Sequence, residues 1–490
     1  MKFLIDTNVF IPLEPAGESD IQARTAGAIE LARLVGVAKS QLYVHPAQRE
    51  DIERDRNVER LKLRRMLFDK YPCLPTPPPI SLQLEAEVGH AEPGSNDWVD
   101  HQLLAGLQAD AVDFLITDDL GLRRKAGRLG LGRRAASVAE AISIVRDLFD
   151  TVPAPPPAVQ SVKAYSLDQT DPIFDGLRRD YPGFDNWLTK CKREHRQAWV
   201  IRVTGAAGLA AVCIVKPEDS VSFLPGVKVL KICSFKVSER YNGFRFGELL
   251  LKAIFTYAED NSYEWLYVTL FEKYPLLISF LQEFGFDATC CRTALGEACL
   301  AKPMRFTEAE RDALAPLAFN IRFGPSATKF ARAPAFVVPI QPRYHCVLFP
   351  EAERQLELMP GIHPCGNSIR KAYLSRGPIR TITPGANLLF YRSEDRQHVT
   401  ATGVAEDTLL SSSPEVIARY VGKRTVYSYD EISRMCQRDV LAILFRQSRS
   451  VRNPIRLDEL RASGVVSAAP QSIVTVPEEA KEWLQTRVLG

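Results

Sequence analysis

The sequence predicts a multidomain protein of mixed α/β and α+β class. Its 490 residues exceed the roughly 100–200 residues that one domain with one hydrophobic core usually takes. A proline-rich stretch over 151–161 follows an amphipathic helix at Ala135–Phe149 and precedes a new apolar pattern, as a stiff interdomain linker does. On both sides of it, short apolar strands alternate with amphipathic helices. Composition agrees: 46% hydrophobic and 25% charged residues, with 62 Lys+Arg against 59 Asp+Glu leaving a net charge of +3, exclude disordered and collagen-like chains. The longest apolar stretch, Val203–Val215, is shorter than the roughly 20 residues that span a bilayer. Asp6 also interrupts the apolar core that a signal peptide needs, so a cytoplasmic protein without a membrane segment is expected. The 10 cysteines show neither Cys-x-x-Cys nor zinc spacing and read as buried thiols.

These features divide the chain into a first domain at 1–150, the linker at 151–161, a second domain at 162–305, a connecting segment at 306–343 and a last domain at 344–490. In the first domain, Met1–Ile5 is an apolar strand ending in Asp6, Thr7 and Asn8. A second strand at 41–45 leads into a polar helix with Glu50 and Asp51. The i, i+3 spacing sets Asp97 and Asp100 on one face of a helix whose Leu103, Leu104 and Leu107 face a sheet. The strand Ala111–Ile116 again runs into acids, Asp118 and Asp119, after Thr117. A single acid at a strand end is commonly a helix N-cap. Four acidic stations of this kind repel one another unless a cation sits among them, which points to a hard divalent ion and phosphodiester hydrolysis. Arg56, Arg60 and Arg64 fall on one helical ridge that either contacts phosphates or is simply solvated.

Through Leu4–Asn8, Pro46 with Glu50 or Asp51, Asp97 and Asp100 before Leu103-Leu104-Ala105, and Leu115–Asp119, residues 1–150 resemble a PIN domain. This is the Rossmann-like, metal-dependent ribonuclease fold of many bacterial toxins. The resemblance implies catalytic roles for Asp6, Glu50, Asp51, Asp97, Asp100 and Asp119. It also implies Mg²⁺ or Mn²⁺ held by Asp6, Asp97, Asp100 and Asp119, with Asn8 or Thr117 in support. Which acid of each neighbouring pair points inward stays open.

Residues 162–305 read as a helix, strands at Ala198–Val203, Gly208–Val215 and Lys228–Val237, a turn, a helix at Glu248–Glu259, a strand at Glu264–Leu270 and a helix ending near Phe286. A glycine-bearing turn before a helix leaves backbone N–H groups free for a pyrophosphate. The turn Ser238–Gly247 before Glu248 and the closing Phe284-Gly285-Phe286 resemble the GNAT acetyltransferases, a mixed sheet with helices. That resemblance implies acetyl-CoA bound at Phe235, Val237, Asn242, Gly243, Arg245 and Gly247. Arg245 stands where the family has its first glycine, and Leu281 where many members carry an acidic tyrosine. Tyr274 is a substitute acid, and Glu239 or Glu272 a base.

In the last domain, strands are expected at Tyr344–Phe349, Ala386–Tyr391, Val399–Ala405 and Val440–Arg446, with a short helix at Asn367–Ser375. The pattern resembles the ASCH/EVE branch of PUA-like domains, a small β-barrel linked to RNA. Lys371, Tyr373, Arg376, Arg380 and Arg392 combine cations with aromatic rings as an RNA surface does. Lys371 and Arg376 fit the ASCH Lys-x-x-Glu-x-Arg pattern, with Leu374 in the glutamate's place. Together the resemblances imply a metal-dependent ribonuclease with an RNA-binding module, a toxin or stress-response effector with RNA and an antitoxin or other protein as partners. The alternatives are an acetyl-CoA-dependent N-acetyltransferase of RNA or protein with the first domain as scaffold, and a non-catalytic RNA-binding adaptor.

Overall fold

The computed structural model describes all residues except 17–19, 21, 23, 150–158, 204–206, 239–240, 242–244, 351–367 and 490. Most of the linker and the cofactor candidates Asn242 and Gly243, with Glu239, lie outside the described residues. Among the described residues the protein is a mixed α/β chain with three sheets. It forms two compact units. Unit 1 is Met1–Thr151 with Ser413–Lys423 and Ser428–Ser433; unit 2 is the remainder.

Unit 1 is built on β1 (Lys2–Ile5), β2 (Gln41–Tyr43), β3 (Phe114–Ile116) and β4 (Ala135–Ala136), in the order β2-β1-β3-β4. All three pairings are parallel. Phe3, Leu4, Ile5, Phe114, Leu115 and Ile116 are wholly buried, as central parallel strands covered on both faces require. The helix Asn96–Gln108 starts where the Ser95 hydroxyl accepts the Trp98 N–H at 3.0 Å, and it buries Leu103, Leu104 and Leu107 on the sheet. Ala135 and Ala136 do not open the helix that follows, contrary to expectation. They complete the ladder beside Leu115 and Ile116, and the helix runs from Val138 to Phe149.

Unit 2 holds a seven-stranded sheet of β5 (Val159–Lys163), β6 (Gln197–Ile201), β7 (Ala211–Glu218), β8 (Val229–Val237), β9 (Trp265–Leu270), β10 (Asp287–Arg292) and β11 (Ala298–Pro303), ordered β10-β11-β9-β8-β7-β6-β5. Only β8 and β9 pair in parallel, over Val229–Ile232 and Trp265–Val268, and beyond Ile232 the two strands part. The helix Phe246–Asp260 buries Leu250, Leu251, Ile254 and Phe255 in the core of this sheet.

The third sheet contains β12 (Ala335–Ile340), β13 (Arg370–Ser375), β14 (Asn387–Arg392), β15 (His398–Ser411), β16 (Val440–Arg456) and β17 (Val474–Thr475), ordered β13-β16-β15-β14-β12-β17. Two expectations are overturned here. Tyr344–Phe349 is not a strand but lies largely in a helix, Pro342–Leu348, because Pro342 at its first turn presets helical backbone. Asn367–Ser375 is not a helix: Arg370–Ser375 pairs antiparallel with Leu441–Arg446, so a long-range ladder overrides local preference. β12 falls in the expected connecting segment yet pairs in parallel with β14.

Candidate acidic active site

Parallel strands place their C-terminal ends along one edge, and β1 and β3 end there in Asp6-Thr7-Asn8 and Thr117-Asp118-Asp119. The Asp6 amide donates to Ile116 O at 2.9 Å and fixes the two strand ends together. Although Asp6 precedes the helix Thr7–Leu13, its carboxylate caps nothing. It is 6% exposed, and its Oδ2 accepts from Thr117 Oγ1 at 2.6 Å and from Asn8 Nδ2 at 2.5 Å. Burial, opposed in part by the Thr117 bond, and the charges of Asp100 and Asp119 push the Asp6 carboxyl up to about 7.

The neighbouring acids now separate. Asp118 Oδ1 accepts the Val138 N–H at 3.1 Å, so this residue serves the next helix. Asp119 Oδ1 accepts from Gly121 N at 2.5 Å and Leu122 N at 3.1 Å while its own amide donates to Thr117 Oγ1 at 3.0 Å. It is thus both a cap and a member of the charge group around Asp6. Asp100 is the inward member of its pair: burial and the charges of Asp119 and Asp97 raise its pKa despite Lys125. Asp97, expected as a ligand, has a side chain 71% exposed and is turned to Lys125, which lowers its pKa. Asp51 Oδ2 accepts from Thr7 Oγ1 at 3.0 Å, and burial raises its pKa against Arg54 at 2.9 Å. Glu50 is half-buried, with its Oε2 beside Gly94.

Sequence reasoning missed Lys125. Its Nζ lies 2.6 Å from Asp97 Oδ1 and 2.8 Å from Asp100 Oδ2, and its side chain is 14% exposed. A lone lysine in the basic helix Leu120–Arg128 carries no signal in the sequence that it turns inward. Two arginines of the ridge are also consumed locally. Arg60 and Arg64 pair with Asp55 at 2.5 and 2.8 Å, and Arg64 pairs with Asp20 at 2.7 Å.

The donors around Asp6 are all hard oxygens, which suit Mg²⁺ or Mn²⁺ in chemistry, and Asp6, Asp100 and Asp119 are the carboxylates that would hold one. Their spacing is another matter. Among the described residues, no group of three or more His, Cys, Asp or Glu side chains stands close enough together to hold a metal ion.

In unit 2 the coenzyme expectation meets a different arrangement. Arg245 sits in the left-handed region (φ 58°) before the helix Phe246–Asp260, and its guanidinium does not face an open cradle. It bonds Glu248 at 2.8 Å, Ser368 Oγ at 2.9 Å and Arg370 O at 3.1 Å. In the first turn of the helix, Glu248 Oε2 accepts the Ile369 and Arg370 N–H groups at 2.9 and 3.1 Å. A chain carboxylate therefore already uses the favourable end of the helix dipole. Phe280 packs over Gly247, where a Cβ would meet its ring at 3.2 Å, and Phe235 lies 6.2 Å from Phe280 between ring centres. Val237 packs on the same core. Leu281 is buried, the Tyr274 hydroxyl donates to Asp180, and Glu272 pairs with Arg292 at 2.6 Å. Behind Glu248 lies a buried ionic knot. Glu406 binds Arg370 at 2.8 Å, Arg446 at 2.9 Å and Arg424 at 3.0 Å, and Arg370 also reaches Glu283 at 2.5 Å.

The expected RNA surface is mostly interior. Lys371 is 0% exposed and donates to Leu348 O at 2.7 Å, Tyr373 donates to Pro339 O at 2.5 Å, and Arg392 is buried against Asp395 at 2.5 Å. The ladders carry these three side chains into a packed interior, and charge clustering in sequence does not reveal that. Arg376 and Arg380 are exposed, Arg380 lying 3.7 Å from Asp439. Among the described residues no helix is long and apolar enough to cross a membrane.

No protein-family model and no curated protein matches the chain. Among solved structures, it is similar in part to ASCH from Zymomonas mobilis, at 16% identity over 31% of this chain and 94% of that one, with a TM-score of 0.25. It is similar to an N-acetyltransferase from Staphylococcus aureus, at 14% identity over 30% and 98% of the two chains and a TM-score of 0.25. A third is a GNAT family acetyltransferase from Elizabethkingia anophelis with acetyl-CoA bound, at 15% identity over 30% and 97% and a TM-score of 0.22.

Proposed function

We propose that unit 1 is a PIN-type ribonuclease centre that hydrolyses RNA phosphodiesters. The observation that carries this reading is the Asp6 carboxyl, buried at the C-terminal edge of a parallel sheet and pushed up to about 7 with Asp100 and Asp119 as charged neighbours. Evolution rarely retains such a group for stability alone, since it costs folding energy. Thr117 and Asn8 fix the Asp6 carboxylate, and the Thr117 hydroxyl also accepts the Asp119 amide, so one hydroxyl ties that carboxylate to the Asp119 backbone. Lys125 is the pit's own counter-cation, and the carboxylates, spaced as they are, would have to draw together for a divalent ion to replace it. When bound, such an ion would supply a water of lowered pKa and charge to offset the phosphoryl oxygens. The test is cleavage of transfer RNA by the full chain with Mn²⁺ and with chelator, beside Asp6→Asn and Asp119→Asn.

A second reading, acetyl-CoA-dependent acyl transfer by unit 2, is favoured by the single parallel pair β8 and β9, whose pairing ends at Ile232 and Val268. Glu248 at the helix start and the Phe235–Phe280 pair weigh against it. Calorimetric titration with acetyl-CoA decides this reading: heat of saturable binding supports it, and none rejects it.

A further inference from the structure

β15 begins at His398, paired across the ladder with Arg456, the last residue of β16. The chain turns there into the helix Leu457–Ala462, tied back by Leu457 N donating to Gln397 O at 3.0 Å. This corner carries an open depression of about 540 Å³ lined by Arg396, Gln397, His398, Arg456, Asp458 and Arg461. That volume lies within the range of roughly 300–1,000 Å³ taken by small-ligand sites. Three guanidinium groups thus share the depression with one carboxylate.

Of the nearby acids, Asp395 and Glu459 are engaged elsewhere. Asp395 accepts Arg392 Nε at 2.9 Å and the Arg396 N–H at 2.7 Å. Glu459 accepts the Arg456 N–H at 3.2 Å and pairs with Arg487 at 3.1 Å. Asp458 meets Arg456 at 3.2 Å, but both side chains are more than two-thirds exposed, so the pair screens weakly and opens readily. Gln397 holds φ 51° without being glycine, a strained conformation at a lining position. His398 Nδ1 lies 3.0 Å from Arg396 O, which can only accept, so Nδ1 carries the hydrogen. Burial lowers the pKa of this imidazole, leaving Nε2 an acceptor near neutral pH.

We propose that this depression binds a nucleotide unit of single-stranded RNA, its phosphate on Arg396, Arg456 and Arg461 and a hydroxyl or N–H of the same nucleotide on His398. Guanidinium groups match phosphate oxygens by geometry as well as charge. A neutral acceptor among cations asks for a ligand that also donates, which sulfate or inorganic phosphate at high pH does poorly and a ribonucleotide does well. The open form lets a strand enter and leave. The proposal rests on the reading of the chain as RNA-directed, but on a site separate from the acidic pit.

The test uses full-length Asp6→Asn protein in chelator, which removes cleavage, and fluorescence anisotropy of a labelled oligouridylate. The double variant Arg456→Glu/Arg461→Glu should bind about tenfold or more weakly, with a salt slope shallower by about 1 per arginine. The pair Arg305→Glu/Arg438→Glu, two exposed arginines outside the lining, should bind as the parent does. Unchanged affinity in the first double variant, with its melting temperature retained, overturns the proposal. An equal loss in the second does so too. Competition by free UMP as strong as by the unlabelled oligonucleotide overturns the assignment to a strand. Because cleavage and binding are read on different proteins, failure here leaves the pit reading to its own assay.

Discussion

Asp6→Asn should stabilise unit 1 while abolishing its chemistry. The native carboxyl is raised from 3.8 to about 7, chiefly by burial. An acid whose folded pKa exceeds its unfolded one holds more protons when folded, so stability falls as pH rises between about 4 and 7 and stays depressed above. Three pKa units correspond to about 4 kcal/mol at the upper limit. Asparagine keeps the one oxygen that accepts from both Thr117 and Asn8, but its amino group replaces the other oxygen, and burying that donor returns about 1–2 kcal/mol. The expected net effect is therefore a gain of about 2–3 kcal/mol at pH 8 and a loss of about 1 kcal/mol at pH 4. Hydrogen exchange of peptides covering β1 and β3, measured against urea in chelator, reads this unit apart from the rest of the chain. If the variant is less stable than the wild type at pH 8, or if its gain does not shrink as the pH is lowered, the carboxylates do not share the pit as described.

Lys125→Met should destabilise unit 1 by about 1 kcal/mol without divalent ions, since the pair with Asp100 and Asp97 is partly exposed. By removing the competing charge it should also tighten Mn²⁺ binding about tenfold, as read by calorimetry. Glu406 is held down to about 2 because three arginines outweigh its burial. Its contribution of about 3 kcal/mol is complete above pH 4.5 and lost as pH falls towards 2. Glu406→Gln should lower the unit 2 transition in scanning calorimetry accordingly at pH 7, and far less at pH 2.5. Lys371→Met should cost about 2 kcal/mol of stability, because Leu348 O is left without its buried donor, while oligouridylate affinity is unchanged.

The strand ends of β1 and β3 were legible because an apolar run followed by acids is a local pattern. Strand pairing supplied the rest: it joined Asp6 to Asp119 through Thr117 across more than a hundred residues. The choice between Asp97 and Asp100 was not legible, since i, i+3 residues share a helix face and only Lys125 separates their roles. In the last third, Arg370–Ser375 carried too little periodicity to distinguish strand from helix, and its misreading placed Lys371 and Tyr373 on the surface. The knot around Glu406 joins four distant segments and leaves no trace in any one of them.

The central claim is tested most directly by incubating transfer RNA with full-length protein in Mn²⁺ or chelator, with Asp6→Asn and Asp119→Asn purified in parallel. The account predicts cleavage by the wild type in Mn²⁺ alone, with both variants folded and inactive. Cleavage by the variants at the wild-type rate, or by the wild type in chelator, would contradict it.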